Sequence, residues 1–173
     1  MISSVDLRRI TTLIFDIDGT LTDGRLGWEP GGETIKFFDA HDTHWLKLAM
    51  RAGLTVGVLS GLDDAPNRRL VREENFNFAV LGVKDKLAAF TALLDERSLT
   101  AEECLYVGDD VVDMPVLRRA GVGAVVADAA PELAEVASWR THAAGGRGAA
   151  MEIVRTVLRE KGLLDSIMER YRR

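Results

Sequence analysis

Leu13-Ile14-Phe15-Asp16-Ile17-Asp18-Gly19-Thr20-Leu21-Thr22-Asp23-Gly24 runs from three apolar residues into two carboxylates set two positions apart. A short Leu/Ile/Phe run bounded by Asp and Gly reads as a strand buried on both faces. Residues two apart share one face of an extended chain, and a turn at Asp18-Gly19 brings both acids toward one point. In an open α/β sheet the carboxyl ends of the strands form the ligand crevice. The stretch therefore predicts both a central strand and a place for a metal or a phosphoryl group at its end.

The same pattern recurs downstream, at Thr55–Leu59, Ala79–Leu81, Leu105–Val107 and Ala124–Val126. Between these runs lie helical patterns: Trp45, Leu46, Ala49 and Met50 after a Thr43 cap, then Leu87, Phe90, Leu93 and Leu94, then Val116, Leu117 and Ala120 ahead of Gly121. Strand alternating with helix predicts a three-layer α/β fold, a Rossmann-like parallel sheet with helices on both faces. Pro30-Gly31-Gly32 interrupts that rhythm and predicts a projecting β-hairpin over 25–39. A last helix is expected over Ala149–Lys161, stopped by Gly162, followed by a docking tail over 163–173.

At 173 residues, 47% hydrophobic and 28% charged, the chain fits one globular domain, 1–173, with no room for a second large one. The net charge of −5 speaks against nucleic acid, which favours a clustered basic surface. Cys104 is the only cysteine, so no intramolecular disulfide forms and a reducing, cytoplasmic compartment is expected. Neither a leader-like apolar stretch in MISSVDLRRI nor any membrane-length apolar run is present in the sequence, so no membrane partner is expected.

A second acidic cluster, Val107-Gly108-Asp109-Asp110-Val111-Val112-Asp113, also follows a buried run, so Asp109 should reach the same crevice and complete an all-oxygen site suited to Mg²⁺. Either cluster alone is ordinary turn and cap chemistry; two of them converging on one crevice are not. Ser60, which ends a strand, and Lys86, ahead of an apolar-periodic helix, are a hydroxyl and an ammonium of the kind that hold phosphate oxygens. Asp110 and Asp113 could orient Lys86, and Asp113 is equally placed to cap the helix at Met114. Arg147, in a glycine-rich loop, could bind a carboxylate bidentately. His41 and His44, three apart with no third ligand nearby, make a poor zinc site.

In this order, Asp16-Ile17-Asp18-Gly19-Thr20, Ser60, Lys86 and Gly108-Asp109-Asp110-Val111-Val112-Asp113 resemble the four motifs of the haloacid dehalogenase superfamily. The resemblance implies that Asp16 attacks phosphorus, that Asp18 acts as acid and then base, and that Ser60, Gly61 and Lys86 hold the phosphoryl group. Mg²⁺ would be held by Asp16, Asp109 and the backbone carbonyl of Asp18. Leu21-Thr22-Asp23-Gly24, Tyr106-Val107-Gly108-Asp109-Asp110, Val125-Val126-Ala127-Asp128-Ala129 and Gly145-Gly146-Arg147-Gly148-Ala149 look like the cap-less phosphatases of 3-deoxy-D-manno-octulosonate 8-phosphate. That narrower likeness implies a phosphorylated sugar or sugar acid as substrate, no cap domain, a homotetramer built through the hairpins, and Arg147 at the substrate. Two departures bear on the pocket. Leu62 stands where an Arg is usual, and His41-Asp42-Thr43-His44-Trp45 replaces small residues with bulky ones at what should be the pocket wall. Two further readings stay open on the residues, a receiver-type phospho-switch and a non-catalytic assembly module.

Overall fold

A computed structural model describes residues 7–172; the leader reading of residues 1–6 and the last residue of the tail, Arg173, lie outside the described residues. Four buried segments become the parallel strands β1 (Thr12–Phe15), β4 (Thr55–Leu59), β6 (Cys104–Gly108) and β7 (Val122–Val125); the edge strand β5 (Phe78–Val80) buries only Phe78 fully, and a two-residue strand, β8 (Trp139–Arg140), extends the sheet. The order is β5-β4-β1-β6-β7-β8, all neighbours parallel. The chain builds outward from β1 on one side, then returns to build on the other. Register places Phe15 level with Val58 and with Val107, so the residues just past β1, β4 and β6 stand side by side. That reversal of strand order is where α/β sheets open a crevice.

The helices are α1 (Ala40–Arg51), α2 (Ala65–Glu74), α3 (Lys86–Arg97), α4 (Met114–Arg119), α5 (Ala149–Glu160) and α6 (Leu164–Glu169). On the sheet, α1 packs against α5 and α3 against α4, giving the three-layer architecture. The core is one continuous cluster in which Leu13, Ile14, Phe15, Val56, Val58, Leu105, Val107, Ala124 and Val125 are wholly buried. Asp42 ties two helices together: it is buried on α1 and accepts hydrogen bonds from the Gly148 and Met151 amides at the start of α5, at 3.0 and 2.7 Å. A carboxylate on a helix N-terminus meets both orphan donors and a favourable dipole.

The hairpin is present but shorter than 25–39. Its paired arms are β2 (Gly27–Trp28) and β3 (Thr34–Ile35), and Phe38 pairs instead with Thr22. The Thr43 cap is corrected to Asp39, whose carboxylate accepts from the His41 and Asp42 amides, while the Thr43 hydroxyl donates to the Ala40 carbonyl inside the helix. Asp113 does not cap α4, because its side chain is committed elsewhere. Both α2 and β8 are elements beyond those expected from the pattern, and the tail forms α6, with Tyr171 seated on His44 of α1 at 3.3 Å. Among the described residues no helix is long and apolar enough to cross a membrane.

Candidate active site

Asp16 leaves the central strand one residue past Phe15, and its amide donates to the Val107 carbonyl at 2.9 Å, which fixes the turn that follows. Gly19 sits at φ +86°, and a Cβ there would collide with the Asp109 carboxylate, so the loop requires glycine both for conformation and for close approach. Thr22 secures the turn by accepting from the Gly19 and Gly24 amides. From the neighbouring strand, Asp109 reaches over and accepts from the Thr20 hydroxyl at 3.2 Å.

Lys86 opens α3 and is buried. Its ammonium lies 3.0 Å from Asp16 Oδ1 and 2.7 Å from Asp113 Oδ1. Asp113 is fully buried and accepts from four donors in all: the Tyr106 hydroxyl at 2.6 Å, the Asp109 and Asp110 amides, and Lys86. It therefore positions the lysine and the acidic loop rather than α4. Burial alone would lower the Lys86 pKa, but the Asp16 and Asp113 charges outweigh that and raise it, keeping the ammonium charged.

Ser60 is buried at the end of β4, accepting at its hydroxyl from the Leu62 amide at 3.2 Å and from Asn67 Nδ2 at 3.4 Å. Gly61 and Leu62 are exposed beside it. Arg147 lies across the crevice in the loop before α5, where the Gly146 amide donates to the Thr20 carbonyl and a Cβ on Gly145 would collide with the Gly19 carbonyl. Its guanidinium is largely exposed and bonds Asp23 at 3.2 Å, so it already holds a carboxylate.

Asp18 turns its carboxylate away from that cluster. Oδ1 forms an ion pair with Lys36 Nζ at 2.6 Å, and Oδ2 accepts from Asn67 Nδ2 at 3.3 Å. Sequence reasoning named neither partner. Asp64-Ala65-Pro66 was a legible signal for α2, an N-cap acid followed by Pro in the first turn, and would have placed Asn67 just inside a helix beside Ser60. The bulky residues of α1 have other partners: His41 pairs with Asp39, His44 meets Tyr171 edge-on at 5.9 Å, and Trp45 packs against the core.

The acids at the crevice suit a hard cation. Ligand oxygens of Asp16, Asp109 and Asp113 lie within 4.8 Å of one another, the one such group of His, Cys, Asp or Glu among the described residues. Asp16 Oδ1 is buried without a hydrogen-bond donor, its contact with Lys86 being an off-axis ion pair. Burial first, and then the Asp16 and Asp113 charges, push the Asp109 carboxyl up to about 7. Burial likewise raises Asp16, with Lys86 opposing it. Asp16 and Asp109 are thus short of positive charge, and an all-oxygen donor set fits Mg²⁺.

Residues 62–153, more than half of the chain, match the family of haloacid dehalogenase-like hydrolases. The chain belongs to the haloacid dehalogenase-like hydrolases. It is 35% identical over 160 residues to the 3-deoxy-D-manno-octulosonate 8-phosphate phosphatase of Salmonella typhi, covering 90% of this chain and 83% of that protein. A probable YrbI family phosphatase from Pseudomonas syringae superposes with a TM-score of 0.93 at 37% identity, over 98% of this chain and 99% of the other. The Moraxella catarrhalis octulosonate phosphatase, solved with magnesium, phosphate and the octulosonate sugar, gives a TM-score of 0.93 at 26% identity over 96% and 95%. Within the haloacid dehalogenase-like hydrolases the chain thus falls in the octulosonate phosphatase family, and by class it is a phosphatase. That class sets aside the receiver and assembly-module readings.

Proposed function

We propose that this chain, acting as one domain, hydrolyses 3-deoxy-D-manno-octulosonate 8-phosphate or a closely related sugar-acid phosphate through a covalent aspartyl-phosphate on Asp16. What supports this most is the meeting of Asp16 with Lys86 at 3.0 Å and with Asp109 at the reversal of strand order, beside Ser60. Asp16 attacks phosphorus while Asp18 gives a proton to the departing sugar oxygen. Asp18 then takes a proton from water, which attacks the aspartyl-phosphate, frees phosphate and restores Asp16. Ser60, the Gly61 backbone and Lys86 hold the phosphoryl oxygens, and Arg147 exchanges Asp23 for the carboxylate of the sugar acid.

Asp16, Asp109 and the Asp18 carbonyl would hold Mg²⁺, whose charge offsets the repulsion between a carboxylate and a phosphate dianion. Carboxylates must shed protons to bind a cation, so affinity should climb as pH rises through about 7, where Asp109 ionises. The rise in thermal midpoint on adding saturating Mg²⁺ should be larger at pH 8 than at pH 6. Equal shifts at the two values would remove Mg²⁺ from these carboxylates.

Leu62 is 45% exposed beside Ser60 and offers no charge where an Arg is usual. Charge-assisted contacts to a carboxylate are worth roughly 1.5–3 kcal/mol, so Leu62→Arg should raise kcat/KM for the octulosonate phosphate about tenfold or more over simpler sugar phosphates. A panel of sugar and sugar-acid phosphates assayed with both proteins tests substrate and pocket together. If Leu62→Arg brings no gain, Leu62 does not face the sugar-acid end.

The hairpin points to a homo-oligomer, the homotetramer implied by the family. Trp28 and Phe37 are 68% and 71% exposed and Leu26 44%, on an element too small to cover them. Light scattering at micromolar concentration should give a mass above that of one chain, and a monomer would contradict it. A buried, unpaired Cys104 fits a reducing cytoplasm.

A further inference from the structure

Lys36 follows β3, two positions before Phe38 pairs with Thr22. Its side chain is wholly buried. A lysine ammonium has three donors and no acceptor, and burying it is costly unless each donor is met. Here Asn67 Oδ1 accepts one hydrogen bond at 3.0 Å, and the charge is met by two carboxylates, Asp18 Oδ1 at 2.6 Å and Asp64 Oδ2 at 2.7 Å, as ion pairs.

A lysine whose task was only to pin the hairpin onto α2 would be served by Asp64 and Asn67, which both belong to that helix and its cap. The third contact goes instead to the motif loop. Asp18 is then gripped at both oxygens by groups outside its own loop, Oδ1 by Lys36 and Oδ2 by Asn67. Asn67 Nδ2 also reaches Ser60 Oγ at 3.4 Å and the Leu62 carbonyl at 3.3 Å, so the same amide spans the proposed acid–base and the proposed phosphate holder.

We propose that Lys36, delivered by the hairpin, is the positioning residue for Asp18 and fixes its carboxylate where the leaving oxygen will stand. This rests on the acid–base role given to Asp18 above. One ammonium faces two carboxylates in this cluster, Asp18 from the motif loop and Asp64 from the cap of α2, so it ties the two together. The hairpin thereby becomes part of each subunit's own site, in addition to any surface it offers other subunits.

The test uses leaving groups of different need. p-Nitrophenolate departs without a proton, whereas the sugar alkoxide of 3-deoxy-D-manno-octulosonate 8-phosphate requires one, and kcat/KM reports all steps through the first phosphoryl transfer. Lys36→Met and Asp18→Asn should each lower kcat/KM more on the octulosonate than on p-nitrophenyl phosphate, the two losses differing by at least about 10-fold, as expected when a proton donor is removed or misplaced. Adding Lys36→Met to Asp18→Asn should then bring no further loss on the octulosonate, since one acts through the other.

If Asp18→Asn separates the substrates but Lys36→Met lowers both alike or neither, Lys36 is a clamp only and the inference fails. If Asp18→Asn itself does not separate them, the acid–base role fails and the inference with it. Should Lys36→Met not fold by circular dichroism, Lys36→Met/Asp64→Asn removes one carboxylate with the ammonium and keeps an N-cap residue for α2, and is read in the same way.

Discussion

Asp16→Asn is expected to bring phosphate release to background, a loss on the order of 10⁴-fold or more, because an amide cannot form the acyl-phosphate. The protein should remain folded, for a reason specific to this site. Burial raises the Asp16 carboxyl above its ordinary range, so the group favours the fold fully below about pH 4 and loses that contribution as pH rises through the folded value. Above it, the ionised acid is a burden on the metal-free protein that a neutral amide does not impose, and Lys86 keeps Asp113 as partner. Without metal at pH 8 the variant should melt no lower than the parent, and the difference between the two should shrink as pH falls toward about 4. Loss of activity together with a markedly lower midpoint at pH 8 would mean that Asp16 is structural.

Lys86→Met should do the opposite to stability. It leaves Asp16 and Asp113 buried against each other with the Tyr106 hydroxyl as the nearest compensation. Removing one partner of a buried ion pair costs about 3–5 kcal/mol, which in a chain of this size lowers the thermal midpoint by roughly 6–20 °C. Activity falls as well, since the phosphoryl group loses its cation. A shift of only a degree or two would show that the three charges are less desolvated than their burial indicates.

Asp16, Ser60, Lys86 and Asp109 were legible because each adjoins a strongly patterned element: the first three close or open runs of buried Leu, Ile, Val and Phe, and Asp109 follows the buried strand that ends at Gly108. Strand order cannot be read from such runs, yet it is what brings Asp16, Ser60 and Asp109 side by side. Lys36 was hidden because a lysine between Ile35 and Phe37 reads as the polar member of a hairpin arm; its burial depends on α2, which lies far along the chain. That helix escaped notice because APNRRLVREE has just Leu70 and Val71 to mark an apolar face. The start of α1 was set four residues late, since Ala40 and His41 carry no periodic signal and the cap had to be seen in the Asp39 hydrogen bonds. Asp113 reads as a cap from its place before Met114, and the four donors it meets come from α3, β6 and its own loop, contacts that need the fold.

The covalent role of Asp16 is tested most directly by acid-quenching the wild-type protein during turnover of a ³²P-labelled ester and mapping any label on the chain. The account predicts a hydroxylamine-labile phosphoryl group on the peptide that holds Asp16, absent from Asp16→Asn and accumulating in Asp18→Asn if water activation is slowed more than transfer. Steady release of labelled phosphate with no label on the protein, or label on another residue, would contradict it.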